Sequence, residues 1–201
     1  MTTRPATSPG PAIRPAEPGK LVTLTGGAGA GKTTIAAALG ADRAVTVLHL
    51  DDYYFPDPAR GVWIPDDTGT PRLDVGDPRS IDFIRVNADV DAALAASALV
   101  IAEGLFAIRT TPSVPHTRFD VFVDLPADLR LARKIHRKCV RDDFPLHVLL
   151  ANYLCHRREA HGRHVEPARH QCDLIVDAQL PADQLATTIW RAISPQGIHG
   201  A

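Results

Sequence analysis

Cysteine, net charge and long apolar runs are all scarce in this chain, and each scarcity excludes something. The 201 residues include three cysteines, Cys139, Cys155 and Cys172. They are too few and too scattered for a disulfide framework, so a reducing cytoplasm is the expected setting. The 22 basic and 23 acidic residues nearly cancel, and the isoelectric point is near 6.7. That balance removes the electrostatic case for nucleic acid or an anionic membrane as partner. No apolar run approaches the roughly 18–20 residues of a membrane span. The first residues lack the charged-then-apolar layout of a secretory signal. What is left is an ordinary globular composition, 45% hydrophobic and 22% charged, long enough to bury one core without staples.

Residues 1–19 carry Pro5, Pro9, Pro11, Pro15 and Pro18 with no apolar periodicity, which predicts a disordered, partly extended tail. The folded domain is expected over residues 20–194, with a short tail at 195–201. Within it, Leu21–Thr25, Val45–Leu50, Leu99–Ala102, Asp120–Val123 and Leu174–Val176 read as five strands. Their continuous apolar character suits a parallel sheet covered on both faces. Helices are expected over Pro78–Ala96, Pro126 to about Lys138, Leu146 to about Arg158, and Pro181–Ile193. In the last, Leu185, Ile189 and Ile193 share one face. Repeated β-α units of this kind predict a doubly wound α/β domain with ligands at the carboxyl edge of the strands.

One segment carries a specific chemistry. Gly26-Gly27-Ala28-Gly29-Ala30-Gly31-Lys32-Thr33 satisfies G-x-x-x-x-G-K-[ST] at every fixed position, between a strand and a helix continuing through Thr34. Glycines let successive N–H groups turn inward onto a polyphosphate, the lysine reaches the β/γ-phosphates, and the threonine hydroxyl ligates Mg²⁺. Elsewhere the basic residues are overwhelmingly Arg, yet this position holds a compact, mobile ammonium. A nucleoside triphosphate with Mg²⁺ is therefore the expected ligand.

Asp51 and Asp52 follow the second strand and Glu103 ends the third. A strand-end carboxylate beside a phosphate loop can hold the metal's water shell or accept the acceptor's proton. The long stretch Tyr53–Asp77, rich in Pro, Gly and Asp, leaves the same edge and is expected to be a functional loop on the acceptor side.

Leu50-Asp51-Asp52-Tyr53-Tyr54 resembles the D-S-F-Y segment of uridine kinases, and Ile101-Ala102-Glu103-Gly104-Leu105 is similar to their V-x-E-G-I segment. The run Val123-Asp124-Leu125-Pro126-Ala127-Asp128-Leu129-Arg130-Leu131-Ala132-Arg133 resembles V-D-x-x-A-D-x-R-L-x-R. The similarity continues through Arg137, Leu149-Leu150-Ala151-Asn152-Tyr153, Pro167 and Cys172–Val176. It implies a three-layer, nucleoside kinase-like P-loop NTPase fold and transfer of the γ-phosphoryl group of ATP to an acceptor hydroxyl. It further implies that Asp51 is the general base, that Thr33, Asp51 and Glu103 serve the metal, and that Tyr54 lines the acceptor pocket. Lys134 and Arg137 match basic positions near the transferred group. Arg133 and Arg141 fall on the nucleotide side, and Asn152 on the acceptor side.

The departures from that family are specific. Its R-G-R-like lid is replaced by Asp142-Asp143-Phe144, with Arg141 shifted by one position. The family's ribose-binding aspartate has no direct counterpart; Asp74 and Asp77 are the two candidates, and the spacing matches neither. The hairpin with which uridine kinases read the base is missing, because the helix ending near Ala96 runs straight into Leu99. The resemblance thus leaves open a nucleoside acceptor, a pantothenate- or sugar-type alcohol, or an ATP-binding regulator without phosphotransfer; homo-oligomerisation is also open. No N-K-x-D segment exists to read guanine. His156, His161, His164 and His170 with Cys155 and Cys172 match no zinc spacing. Trp63 is expected to anchor its loop, Trp190 to pack in the core, and Arg157-Arg158 to be surface charge.

Overall fold

The computed structural model describes residues 18–41, 43–66 and 69–194; most of the predicted N-terminal tail and all of the C-terminal one lie outside them. Among the described residues there are seven strands: β1 (Gly19–Thr25), β2 (Thr46–His49), β3 (Trp63–Pro65), β4 (Pro71–Leu73), β5 (Leu99–Gly104), β6 (His116–Asp124) and β7 (Leu174–Asp177). Five form one parallel sheet in the order β2-β5-β1-β6-β7. The helices are α1 (Lys32–Leu39), α2 (Phe83–Ala96), α3 (Ala127–Ile135), α4 (Leu146–Asn152), α5 (Arg158–His164) and α6 (Ala182–Ile193).

Neighbouring residues on a strand face opposite sides, and here both sides are apolar. Val22, Leu24, Ile101, Val121 and Val123 pack with Ile35 and Leu39 of α1 and with Leu185, Ile189 and Ile193 of α6. Leu21, Val100 and Phe122 face the other layer, against Val86 and Val90 of α2 and Phe106. Ile189 is fully buried, so truncation to Ala would cost about 2–5 kcal/mol. The core thus clamps β1 between α1 and α2 and holds the loop that leaves its carboxyl end.

Three elements differ from the sequence reading. The segment Tyr53–Asp77, expected to be an irregular loop, carries the antiparallel hairpin β3–β4, with Trp63 opposite Leu73 and Ile64 opposite Arg72. The helix expected from Pro78 is broken: Pro78–Ser80 is a 3₁₀ turn capped by Asp77, and α2 restarts behind Asp82, whose carboxylate accepts from Arg85 N at 3.2 Å. The helix expected to end near Arg158 continues through a π-helical turn, Tyr153–Arg157, into α5. A second π turn, His136–Arg141, extends α3 into the region corresponding to the lid. As the sequence indicated, α2 runs into β5 across Ser97 and Ala98 alone.

Candidate active site

The phosphate loop owes its shape to its glycines. Gly29 (φ 85°) and Gly31 (φ 100°) adopt the left-handed region, and Gly31 caps α1. A Cβ at Gly26 would stand 2.5 Å from the Val123 carbonyl oxygen, so only glycine lets the loop cross β6. Lys32 Nζ donates to the carbonyls of Gly26 (3.0 Å) and Gly27 (3.2 Å). Burial presses its pKa down, while Glu103 and Asp51 pull it back up.

Beside the loop lies a cleft of about 670 Å³, lined among others by Thr33, Asp51, Tyr54, Glu103, Lys134 and Arg137. Ala28, Gly29, Gly31, Lys32, Thr34 and Arg133 line it from the loop side. The sheet explains the convergence. Glu103 ends β5 and is register partner to both Leu24 of β1 and His49 of β2, so three strand ends meet there. Thr33 Oγ1 donates to Glu103 Oε1 at 2.8 Å, and His49 Nδ1 meets the same oxygen at 2.8 Å. Glu103 is buried, yet both contacts leave its Oε2 unused by protein donors among the described residues. Asp51 follows β2 in a 3₁₀ turn; desolvation in the cleft raises its pKa, Lys32 opposing the effect. Tyr54 hydrogen-bonds the Val75 carbonyl at 2.8 Å, and burial, with Asp51 second, raises its phenol pKa. Arg133 ties the loop to the sheet edge, donating to Ala178 O at 3.1 Å and Ala30 O at 3.5 Å.

The remaining sequence candidates lie outside this cleft. Asp74 is ion-paired with Arg157 and accepts from Gly76 N. Asp77 is buried, accepts from Arg79 N, pairs with the Arg79 guanidinium at 2.7 Å, and has its pKa lowered chiefly by that residue. Asn152 faces a separate pocket, its Nδ2 donating to Val148 O. Arg141 is exposed at the end of the π turn. There Lys138 pairs with Asp142 at 3.0 Å and Asp143 takes φ 53°.

Sequence reading overlooked three residues here. His49 looked like a strand residue; only its register opposite Glu103 reveals its contact. Arg130 hydrogen-bonds Leu125 O at 2.9 Å and lies against the loop beside Gly27 and Gly29. Arg157, expected at the surface, is only 14% exposed and is held by Asp74. Trp63 does anchor its loop, donating to Arg60 O at 2.8 Å. Trp190 is partly buried against the core, with the Arg43 guanidinium 3.9 Å from its ring. Among the described residues no three His, Cys, Asp or Glu side chains form a metal cage. His161 instead meets Glu166 at 3.1 Å, and burial raises the Cys172 thiol pKa to about 12. No helix among the described residues is long and apolar enough to cross a membrane.

Comparison with known proteins finds relatives over most of the chain. The chain is 24% identical over 180 residues to a uridine kinase of Halobacterium salinarum, covering 79% of this chain and 80% of that protein. It is 26% identical over 178 residues to one of Deinococcus deserti, covering 78% and 86%. The fold is similar to that of a sugar kinase from Janibacter sp. (TM-score 0.57, 19% identity, 87% of this chain and 94% of that one). It is also similar to shikimate kinase from Acinetobacter baumannii (TM-score 0.52, 19% identity, 88% and 93%). The architecture is thus that of a P-loop kinase. A sequence model described as "Phosphoribulokinase / Uridine kinase family" matches residues 75–186, more than half of the chain, and the chain belongs to that family.

Proposed function

We propose that this kinase transfers the γ-phosphoryl group of Mg-ATP to a hydroxyl of a small acceptor, with Asp51 as general base. The observation that carries the reading is the shared cleft: Asp51, Lys32, Thr33, Glu103 and Arg137 all line one cavity beside the phosphate loop. The acceptor oxygen attacks the γ-phosphorus and forms the new O–P bond. The bond to the β-phosphate oxygen breaks, its electron pair leaves on ADP, and the hydroxyl proton passes to the Asp51 carboxylate. A carboxylate pKa raised by desolvation brings the base nearer to neutral pH and strengthens it. Lys32 and Arg137 compensate the charge on the transferring group.

The donor set also fits a magnesium ion. Thr33 supplies a hydroxyl, and Glu103 and Asp51 supply hard carboxylate oxygens on the same cleft. One or two such ligands suffice beside substrate phosphates. When bound, the ion neutralises phosphate charge. Thr33, Glu103 and Asp51 are the residues that would hold it or its water shell.

A non-nucleoside acceptor is favoured by the direct passage from α2 to β5. That position offers no hairpin to read a base, and we assign the acceptor side to the segment that carries β3–β4, whose Tyr54 and Val75 line the cleft. The test is a coupled ADP-release assay with Mg-ATP across nucleosides, neutral polyols, hydroxy acids and sugar phosphates. Turnover on at least one alcohol, lowered at least about 10²-fold in Asp51→Asn, is expected. ATP binding with no turnover on any alcohol would replace this reading with that of a nucleotide-binding regulator.

A further inference from the structure

The phosphate loop is held from outside as well as shaped from within. Ala28 lines the cleft and also a second, smaller cavity of about 50 Å³, so the loop forms part of the partition between them. Arg133, Lys134 and Arg137 line the cleft, whereas Arg130 and His161 line only the smaller cavity. A loop this rich in glycine has the most backbone freedom to lose, and its inward N–H groups stay aimed only if something fixes it. Arg130 meets it at two points. A Cβ at Gly27 would stand 2.8 Å from the Arg130 Cδ and Cζ, and one at Gly29 would stand 2.8 Å from the Arg130 carbonyl oxygen. Both glycines therefore pack directly on this residue.

The guanidinium is fixed in turn. Its Nε donates to Leu125 O at 2.9 Å, just beyond the end of β6. Its Nη1 lies 3.5 Å from His161 Nδ1. A guanidinium only donates, so Nδ1 accepts and the imidazole proton sits on Nε2, which donates to Glu166 Oε2 at 3.1 Å. Glu166 Oε1 is held by Arg169 Nε at 2.7 Å. No carboxylate pairs with Arg130 among the described residues, and burial lowers its pKa against the weaker pull of Tyr153, Glu166 and Asp124. A charge held by neutral acceptors alone depends on each of them for its place.

We propose that Arg130 positions the phosphate loop for nucleotide and that His161, anchored by Glu166, positions Arg130. Neither lines the cleft, so both act through the loop. The chain Glu166–His161–Arg130 keeps Gly27 to Gly29 in one conformation before nucleotide arrives, which moves the ordering cost from binding to folding. The inference rests on the nucleotide-binding part of the reading above and not on phosphoryl transfer.

Calorimetric titration with Mg-AMP-PNP reads the loop without turnover. His161→Leu should weaken binding about 3–10-fold, the worth of one hydrogen bond. His161→Gln, whose amide can accept from Arg130 and donate to Glu166, should restore most of the affinity. Arg130→Met keeps the packing of the stem but removes the donors, and should weaken binding about 10-fold. In that background His161→Leu should cause no further loss. In the ADP-release assay His161→Leu should raise the ATP KM and leave the acceptor KM unchanged. Binding unchanged in Arg130→Met overturns the role of Arg130. Equal losses in His161→Leu and His161→Gln, or losses that add in full to that of Arg130→Met, overturn the role of His161. An acceptor KM that rises with the ATP KM shows general distortion and overturns the positioning of the loop. Failure of the wild type to bind AMP-PNP overturns both this inference and the kinase reading. The expected binding pattern without turnover on any alcohol overturns the kinase reading alone.

Discussion

Thr33 and Glu103, 70 residues apart in sequence, are joined by a 2.8 Å hydrogen bond that ties the first turn of α1 to the end of β5. Two of the three groups proposed to serve the metal are therefore held together by the protein's own hydrogen bonding. Glu103→Gln keeps the size of the side chain but removes its charge. The magnesium concentration for half-maximal ADP release should rise about 10-fold or more. An unchanged magnesium titration would remove Glu103 from that role.

Asp51→Asn should lower kcat by at least about 10²-fold and leave the ATP KM nearly unchanged. The pH profile gives a second check. Desolvation raises the Asp51 pKa above its ordinary 3.8, and the base must be deprotonated to act. The acid limb of kcat/KM should therefore lie above that value, activity rising with pH. Full turnover in Asp51→Asn would dismiss it as the base.

His49, on β2, meets Glu103 Oε1 at 2.8 Å. An ionised carboxylate only accepts, so Nδ1 carries the proton in that contact. His49→Ala removes one of two donors orienting Glu103 and should cost about 3–10-fold in kcat, as one hydrogen bond is worth. His49→Gln, which retains a donor, should recover most of it. Equal losses in both variants would mean that His49 matters through packing instead.

Arg169 bridges Asp124 (2.6 and 2.9 Å) and Glu166 (2.7 Å), locking the segment after α5 to the end of β6. The pairs are partly exposed, so Arg169→Ala should cost only about 1 kcal/mol, or about 2–4 °C in Tm. Arg169 holds the Asp124 pKa below its ordinary 3.8. The stabilisation is thus complete above that value and lost as pH falls through the lower folded-state pKa. The Tm gap between wild type and Arg169→Ala should narrow at strongly acid pH. A gap that stays constant to pH 2 would point to lost packing rather than lost charge.

Gly29→Ala forces a left-handed residue and sets a Cβ 2.8 Å from the Arg130 carbonyl oxygen, a backbone atom with little room to yield. The backbone term alone is about 1–2 kcal/mol, so Tm should fall by about 4 °C or more. The ATP KM should rise with it. A variant with unchanged Tm and unchanged ATP KM would show that the loop tolerates another conformation.

The phosphate loop and the sheet were legible because their signals are local. A fixed glycine spacing and continuous apolar strands need no distant partner to be read. The hairpin β3–β4 was illegible for the opposite reason: two three-residue strands, each with a proline, look like loop until Trp63 pairs with Leu73. Arg157 read as half of a surface pair because its burial depends on Asp74, 83 residues away. His49 gave no signal for the same reason, its partner lying on a neighbouring strand. The pocket lined by Arg72, Lys134, Lys138 and Arg157 combines residues from five elements, and no single stretch of sequence announces it.

The segment that carries the hairpin departs and returns at one point. Tyr54 and Ile81 form a bridge at its base, Phe55 N bonds Ser80 O at 3.0 Å, and Asp82 N bonds Tyr53 O at 2.9 Å. These staples make it a detachable cassette. The register of β1, β2 and β5 is set by strand pairs that all lie outside this segment. On the proposed reading, acceptor choice then resides in a segment closed off at its base from the strands that carry the phosphate loop, Asp51 and Glu103.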